Sequence, residues 1–204
     1  DNEKSELVLN NLLILSNEIL KADTATQVSL NNGFVQILKK HINHKKTKIR
    51  ISVFINFGSL SIIEHGKEDC TNEGDLIMNS LKQVNQQIDV LKTNNKPSDF
   101  LEIDSINMVI ALTRFQNTVS ILKRGKVEIY ENKGLESYLT LLKLVNNDQI
   151  LINCLQVIGN TAEEPRARKF MLEHLKEIEV FLENKNEFIQ RQSDMTIKTI
   201  TWMP

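Results

Sequence analysis

Apolar residues recur in this chain at helical spacing, and the pattern itself recurs about every 41 residues. Phe34, Ile37, Leu38 and Ile42 follow Gly33 as one stripe of a helix, and Ile77, Leu81 and Val84 follow Gly74. Leu135, Tyr138, Leu139, Leu142 and Val145 follow Gly134, and Leu175, Ile178 and Leu182 repeat the spacing. Gly33 and Gly74 lie 41 residues apart, as do Gly134 and Leu175. Polar breaks at 41–48, 146–148 and 183–187 end three of these stripes. Segments that are apolar nearly all round stand around 11–20, 52–63, 107–122, 152–160 and 192–202. A helix apolar on most sides must be covered on most sides. One short helix pair or triplet cannot bury such a face alone, so stacked copies sharing a core are expected.

Composition narrows the classes further. The 204 residues include only 7 Gly and 3 Pro, with 5% aromatic side chains. That disfavours an all-β sandwich, which needs many turns, and a glycine-rich nucleotide-binding α/β domain. Lys+Arg 25 against Asp+Glu 26 supplies no global attraction for nucleic acid or an anionic membrane. Cys70 and Cys154 stand far apart in the chain without a CxxC, which fits a reducing, cytoplasmic setting better than a disulfide framework. No apolar run approaches the roughly 20 residues that span a bilayer. The chain starts at Asp1, as a piece of a longer protein would.

The interval from Gly74 to Gly134 is longer than one period and breaks the register. LKTNNKPSD (91–99) holds the excess, so one repeat with a lengthened loop near 91–104 is expected, with Asp104 as N-cap of the next helix. Pro165 suits the first turn of a short helix through Leu172.

The stretch ILINCLQVIGNTAEEPRARKFMLEHLKEIEVFLEN (150–184) resembles armadillo repeats: a buried third helix ending in Asn, a polar turn, a short first helix and an apolar second helix. KGLESYLTLLK before it and NEFIQRQSDMTIKTITWMP after it extend the resemblance, and weaker copies cover the chain up to Asn85. The resemblance implies an all-α, armadillo/HEAT-like right-handed solenoid of about four to five repeats, forming a single repeat domain over 1–204. It also implies a concave groove, lined by third helices, whose Asn ladder clamps an extended peptide or partner protein. Asn160 matches that ladder, Asn17 matches by spacing, and Asn56 and Asn117 match after a slip of two or three residues. Import receptors of the family place Trp four residues before the Asn; here Gln156 and Leu13 stand there, which argues against binding of nuclear-localisation signals.

Arg114, Asn117 and Gln156 interrupt apolar third helices, as groove-lining residues or as an ordinary solvated stripe. Asn160 reads either as a peptide clamp or as a polar residue near a helix end. KKHINHKKTKIR (39–50) lacks interleaved aromatics and reads as a solvated basic loop, and lysines beside His41 and His44 oppose a metal there. Cys154 is expected in the core and Cys70 in an exposed turn. EHGKED (64–69) is no more than a solvated turn, and no catalytic, metal or cofactor constellation stands out. DNEKSE (1–6) reads as a polar cap or tail.

The expected function is therefore a non-catalytic scaffold or adaptor. It binds a protein or peptide through Asn17, Asn56, Arg114, Asn117, Gln156 and Asn160, in the cytoplasm and with cytoskeletal or ciliary assemblies among candidate homes. The alternative is a regulatory helical-repeat factor for a chaperone or small GTPase, acting through an edge or convex surface.

Overall fold

The computed structural model describes the backbone of residues 2–93 and 99–202, and the side chains of 3–93 and 103–202. Among them every regular element is helical: α1 (Asn2–Ile19), α2 (Asp23–Asn31), α3 (Phe34–Lys39), α4 (Thr47–Leu60), α5 (Glu64–Asn72), α6 (Leu76–Thr93), α7 (Asp99–Val119), α8 (Lys123–Glu131), α9 (Gly134–Leu144), α10 (Asp148–Thr161), α11 (Pro165–Glu173), α12 (Leu175–Glu179) and α13 (Glu187–Thr201), with a 3-10 turn at Val180–Glu183.

The elements fall into triplets. A nine-residue first helix (α2, α5, α8, α11) is followed by a second helix (α3, α6, α9, α12) and a third (α4, α7, α10, α13). α1 stands as a further third helix at the front. Consecutive third helices pack on one another, α1 on α4, α4 on α7, α7 on α10 and α10 on α13. α4, α7, α10 and α13 are each also covered by the first and second helices of their own repeat, so the core runs uninterrupted from Leu13 and Leu20 to Ile189 and Ile200. At its centre Phe54, Phe57 and Phe115 pack α4 against α7, with ring centroids 5.6–6.1 Å apart. Such tilted pairs add about 0.5–1.5 kcal/mol each beyond area burial.

Local chemistry explains the boundaries. Glu164 accepts a bond from the Ala167 N–H at 2.9 Å and Pro165 occupies the first turn of α11, as expected. Asn147 and Asn186 cap α10 and α13 in the same way. Gly125 sits where the turn from α7 folds back on α8. A Cβ there would lie 2.0 Å from the Val119 carbonyl oxygen, and one at Gly66 would lie 1.9 Å from that of Leu60. Only glycine allows the third helix of one repeat to meet the next first helix so closely at these two junctions.

The lengthened repeat is built differently from the expectation. α6 runs to Thr93 and α7 starts at Asp99, so most of the expected 91–104 loop is helix, and Asp104 lies within α7 instead of capping it. The extra residues lengthen the helices because the apolar stripes continue, with Ile88 and Leu91 on α6 and Ile106 on α7 still packed on the core. Residues 94–98, with Pro97, lie outside the described residues. Positions 2–6 of DNEKSE begin α1 rather than forming a tail, and Glu6 pairs with Lys45 at 3.0 Å. Cys70 is fully buried in α5, not exposed in a turn, because the first helix turns that side onto the core.

Candidate functional site

Third helices lying side by side present one face between them. Its half-buried and exposed residues are Leu7, Asn10, Ile14 and Asn17 on α1, Lys48, Ile51 and Ile55 on α4, Asn107, Ile110, Arg114 and Asn117 on α7, and Gln149, Ile152, Gln156 and Asn160 on α10. The spacing of three or four residues along each helix gives one stripe per repeat. At the N-terminal ends of α1, α4 and α7 the face opens into a cleft of about 550 Å³, lined by Glu6, Leu7, Asn10, Lys45, Lys48 and Asp104 among others.

Five of the six sequence-predicted residues lie on this face, and Asn117, Gln156 and Asn160 touch one another. The Asn117 side-chain amide donates to Gln156 Oε1 at 2.7 Å. Asn160 Nδ2 donates to Ser120 Oγ at 3.0 Å and reaches Asn117 Oδ1 at 3.2 Å. Asn17 Oδ1 accepts from Ser59 Oγ at 2.7 Å. These amides therefore hold neighbouring third helices together, and only part of their capacity is left over. Among the described residues, Gln156 Nε2, Asn160 Oδ1 and Asn17 Nδ2 have no further partner, and Arg114 is exposed with no ion pair. The stem of Arg114 crosses toward α4, its Cγ 3.7 Å from where a Cβ of Gly58 would be.

Asn56 departs from the expectation. It is fully buried, and its Nδ2 donates to the Leu13 and Ser52 carbonyls, each at 2.8 Å, while Oδ1 stays unpaired. It tethers α4 to α1 from inside and takes no part in the face. The slip in register that aligned it with the ladder carries its side chain from the outer stripe onto the packed one.

The face also holds residues that the sequence reading missed, the isoleucines Ile51, Ile55, Ile110 and Ile152, which supply apolar area between the amides. A usable signal was present: polar pairs one repeat apart. Asn117–Gln156 are 39 residues apart, Asn153–Thr113 40, Ser52–Asn10 and Ser59–Asn17 42 and Asn160–Asn117 43.

Elsewhere charges are largely spent on structure. Lys39 bonds Glu73 and Asp75 at 2.9 and 3.1 Å, and Lys45 and Lys46 share Glu6 at 3.0 and 3.8 Å, so half of the cations of the 39–50 segment are paired with acids of neighbouring elements. Partial burial, with His44 and Lys40 nearby, pushes the His41 imidazole below its usual range. Burial pushes the Cys70 and Cys154 thiols far above theirs, which removes thiolate nucleophiles at neutral pH. His65 lies 3.7 Å from Asp69 on the exposed side of α5. Among the described residues no group of three or more His, Cys, Asp or Glu could hold a metal, and no helix is long and apolar enough to cross a membrane.

No family model matches the chain. Solved structures do resemble it. An engineered protein superposes with a TM-score of 0.77 at 12% identity over 95% of this chain and 75% of its own. Another gives 0.76 at 12% identity over 92% of this chain, which spans only 43% of that protein. A designed armadillo repeat protein gives 0.53 at 9% identity, covering 94% of this chain and 93% of its own. At such identities the likeness is one of fold. With the triplet packing above, it makes the chain an all-α, armadillo/HEAT-like helical-repeat solenoid.

Proposed function

We propose that this chain is an armadillo-type, non-catalytic scaffold that acts as one domain in the cytoplasm and binds an extended segment of a partner protein across its third helices. One observation carries the reading. Unused amide groups of Asn17, Gln156 and Asn160 and the unpaired guanidinium of Arg114 are arrayed along one face, with isoleucines between them. Amides at one-repeat spacing suit the donors and acceptors of an extended backbone, and Arg114 suits an acidic side chain or a terminal carboxylate. The isoleucines would take apolar side chains of the same segment.

The geometry also selects the variants. Replacing Asn117 or Asn160 would loosen α7 from α10, so lost binding would be confounded with lost stability. Arg114→Ala removes an exposed group, and Gln156→Glu replaces the free Nε2 donor while keeping an acceptor for the Asn117 amide, so both change ligand-facing groups at lower structural cost. Peptides selected from a random displayed library on the wild-type protein should lose about tenfold or more in affinity for the double variant, equivalent to about 1.4 kcal/mol. Its melting temperature should stay close to wild type. Selected peptides that bind the double variant as tightly as wild type would place the binding surface elsewhere.

A further inference from the structure

The three middle third helices are almost free of charge. Residues 51–63, 105–121 and 149–162 make up the bulk of α4, α7 and α10 and hold a single Asp, Glu, Lys or Arg between them, in a chain of which 25% is charged. That residue is Arg114, exposed on the third-helix face. A charge kept where charges are otherwise excluded calls for a reason beyond solubility. The fold supplies none, since Arg114 makes no ion pair among the described residues.

Its neighbours fix its place. Its Cγ and Cδ lie 3.7 and 3.8 Å from where a Cβ of Gly58 would be, so the stem rests on bare backbone of α4. Ile110 stands one turn away on α7, with Ile51 and Ile55 on α4. On the other side Asn153 bonds Thr113 at 3.1 Å, which brings Ile152 of α10 to the same turn. All four isoleucines are half-buried and packed on the core, so the ground around Arg114 is apolar and held in place. Any segment laid across them also takes water from the guanidinium. Covered without an anion, that charge loses its hydration and gains nothing in return, the penalty that makes a broken buried ion pair so costly.

We propose that the partner segment carries an internal Asp or Glu that pairs with Arg114, with apolar side chains two or three residues away on both sides. This rests on the third-helix face as the binding surface and adds what that surface selects. Adjacent third helices stand about 8–10 Å apart and an extended chain advances about 3.3 Å per residue, so the segment passes one helix every two or three residues. The acid is internal because isoleucines lie on both sides of Arg114, and a terminal carboxylate would leave one side bare. The planar guanidinium takes a carboxylate through two parallel bonds, which favours an acid over an amide or a carbonyl.

Peptides selected on the whole chain, from a random library displayed between fixed neutral linkers, test this. An environment-sensitive fluorophore on Asn107→Cys, an exposed face position, reports arrival at the face whatever the peptide's charge, and the buried native thiols stay unlabelled. Selected binders should share one Asp or Glu with apolar residues at the stated spacing. Changing that acid to its amide should weaken binding to wild type about tenfold or more, and binding to Arg114→Met, which keeps an apolar stem on Gly58, by less than about twofold. Arg114→Glu should recover a peptide whose acid is replaced by Lys. Three results overturn the proposal and leave the face standing as a binding surface: binders that move the fluorophore without a shared acid, binders that place an aromatic side chain there instead, and an equal loss on Arg114→Met when the acid is amidated. Binders that do not move the fluorophore, or a library that yields none, overturn the face and the proposal with it.

Discussion

Replacing Gly125 with alanine adds one methyl group at the tightest junction of the array. The new Cβ would lie 2.0 Å from the Val119 carbonyl oxygen and 2.8 Å from its carbon. Both are backbone atoms, so no side-chain rotation relieves the clash. The α7–α8 turn must open to make room. That strains the Leu122 N–H bond to Val119 and the Lys126 N–H bond to Leu122, at 3.2 and 3.0 Å. Overpacking of this kind costs about 1–3 kcal/mol, and each weakened bond about 1 kcal/mol. Alanine's better helix propensity returns about 0.5–1 kcal/mol. The net expectation is a loss of about 2–4 kcal/mol, a fall of roughly 5–15 °C in Tm for a chain of this length. Gly58→Ala is the control. It is also buried in a helix, but its Cβ meets nothing nearer than Arg114 Cγ at 3.7 Å, so it should be neutral or stabilising by up to about 1 kcal/mol. Denaturant melts of the two variants read the difference. Equal effects, or a Gly125→Ala within about 0.5 kcal/mol of wild type, would refute the close approach of α8 to α7.

Asn160→Ala removes bonds to Ser120 and Asn117 across the α7–α10 junction and should cost about 1–2 kcal/mol; a double-mutant cycle with Asn117→Ala should show coupling, and strict additivity would deny the contact. Lys133 holds a left-handed φ of 59°, as Gly33 does with 71° in the first repeat, so Lys133→Gly should raise stability by about 0.5–1 kcal/mol in a thermal melt. Both native thiols should resist an aqueous disulfide reagent until the chain unfolds, then react in full; one fast-reacting equivalent in the native protein would contradict the burial of Cys70 or Cys154. Glu177 sits partly buried, which alone would raise its pKa, but Lys143 and His174 at 2.8 and 2.9 Å hold it below the usual carboxylate range. A depressed folded value stabilises above the unfolded pKa of about 4.3 and is lost as the pH falls through the folded one, so Glu177→Gln should flatten the acid limb of stability against pH.

The repeat was legible because one physical demand, burial of a helix stripe by its neighbour, returns at the length of one copy. Gly33 to Gly74 and the Pro165 start of α11 carried that signal directly. The loop expected at 91–104 rested on the loop preference of Pro and Asn as residue types, while the apolar spacing that prolongs α6 and α7 is just as visible in Ile88, Leu91 and Ile106. Among the amides, Asn17, Asn117, Gln156 and Asn160 lie on the outer face that the sequence put them on, and Asn56 lies on the packed side. A shift of two residues on a helix turns a side chain by about 200°, from the outer stripe onto the packed one. Cys70 looked exposed because its neighbours Glu68 and Asp69 are polar, but a short first helix needs only a narrow apolar side to face the core. How the amides share their bonds depends on contacts one period apart, which become readable only once the period is fixed.

Both the fold and the proposed binding face depend on helix triplets that advance along a common axis. Five third helices set side by side at about 8–10 Å give a body roughly 45–50 Å long, counting one helix diameter. Spin labels carried on Leu12→Cys of α1 and Met195→Cys of α13, both exposed positions, should lie about 30–40 Å apart, four helix spacings, in a pulsed-resonance distance measurement. A separation of only one or two spacings, about 10–20 Å, would place α13 back beside α1 and contradict the stacked array and the partner-binding face built on it.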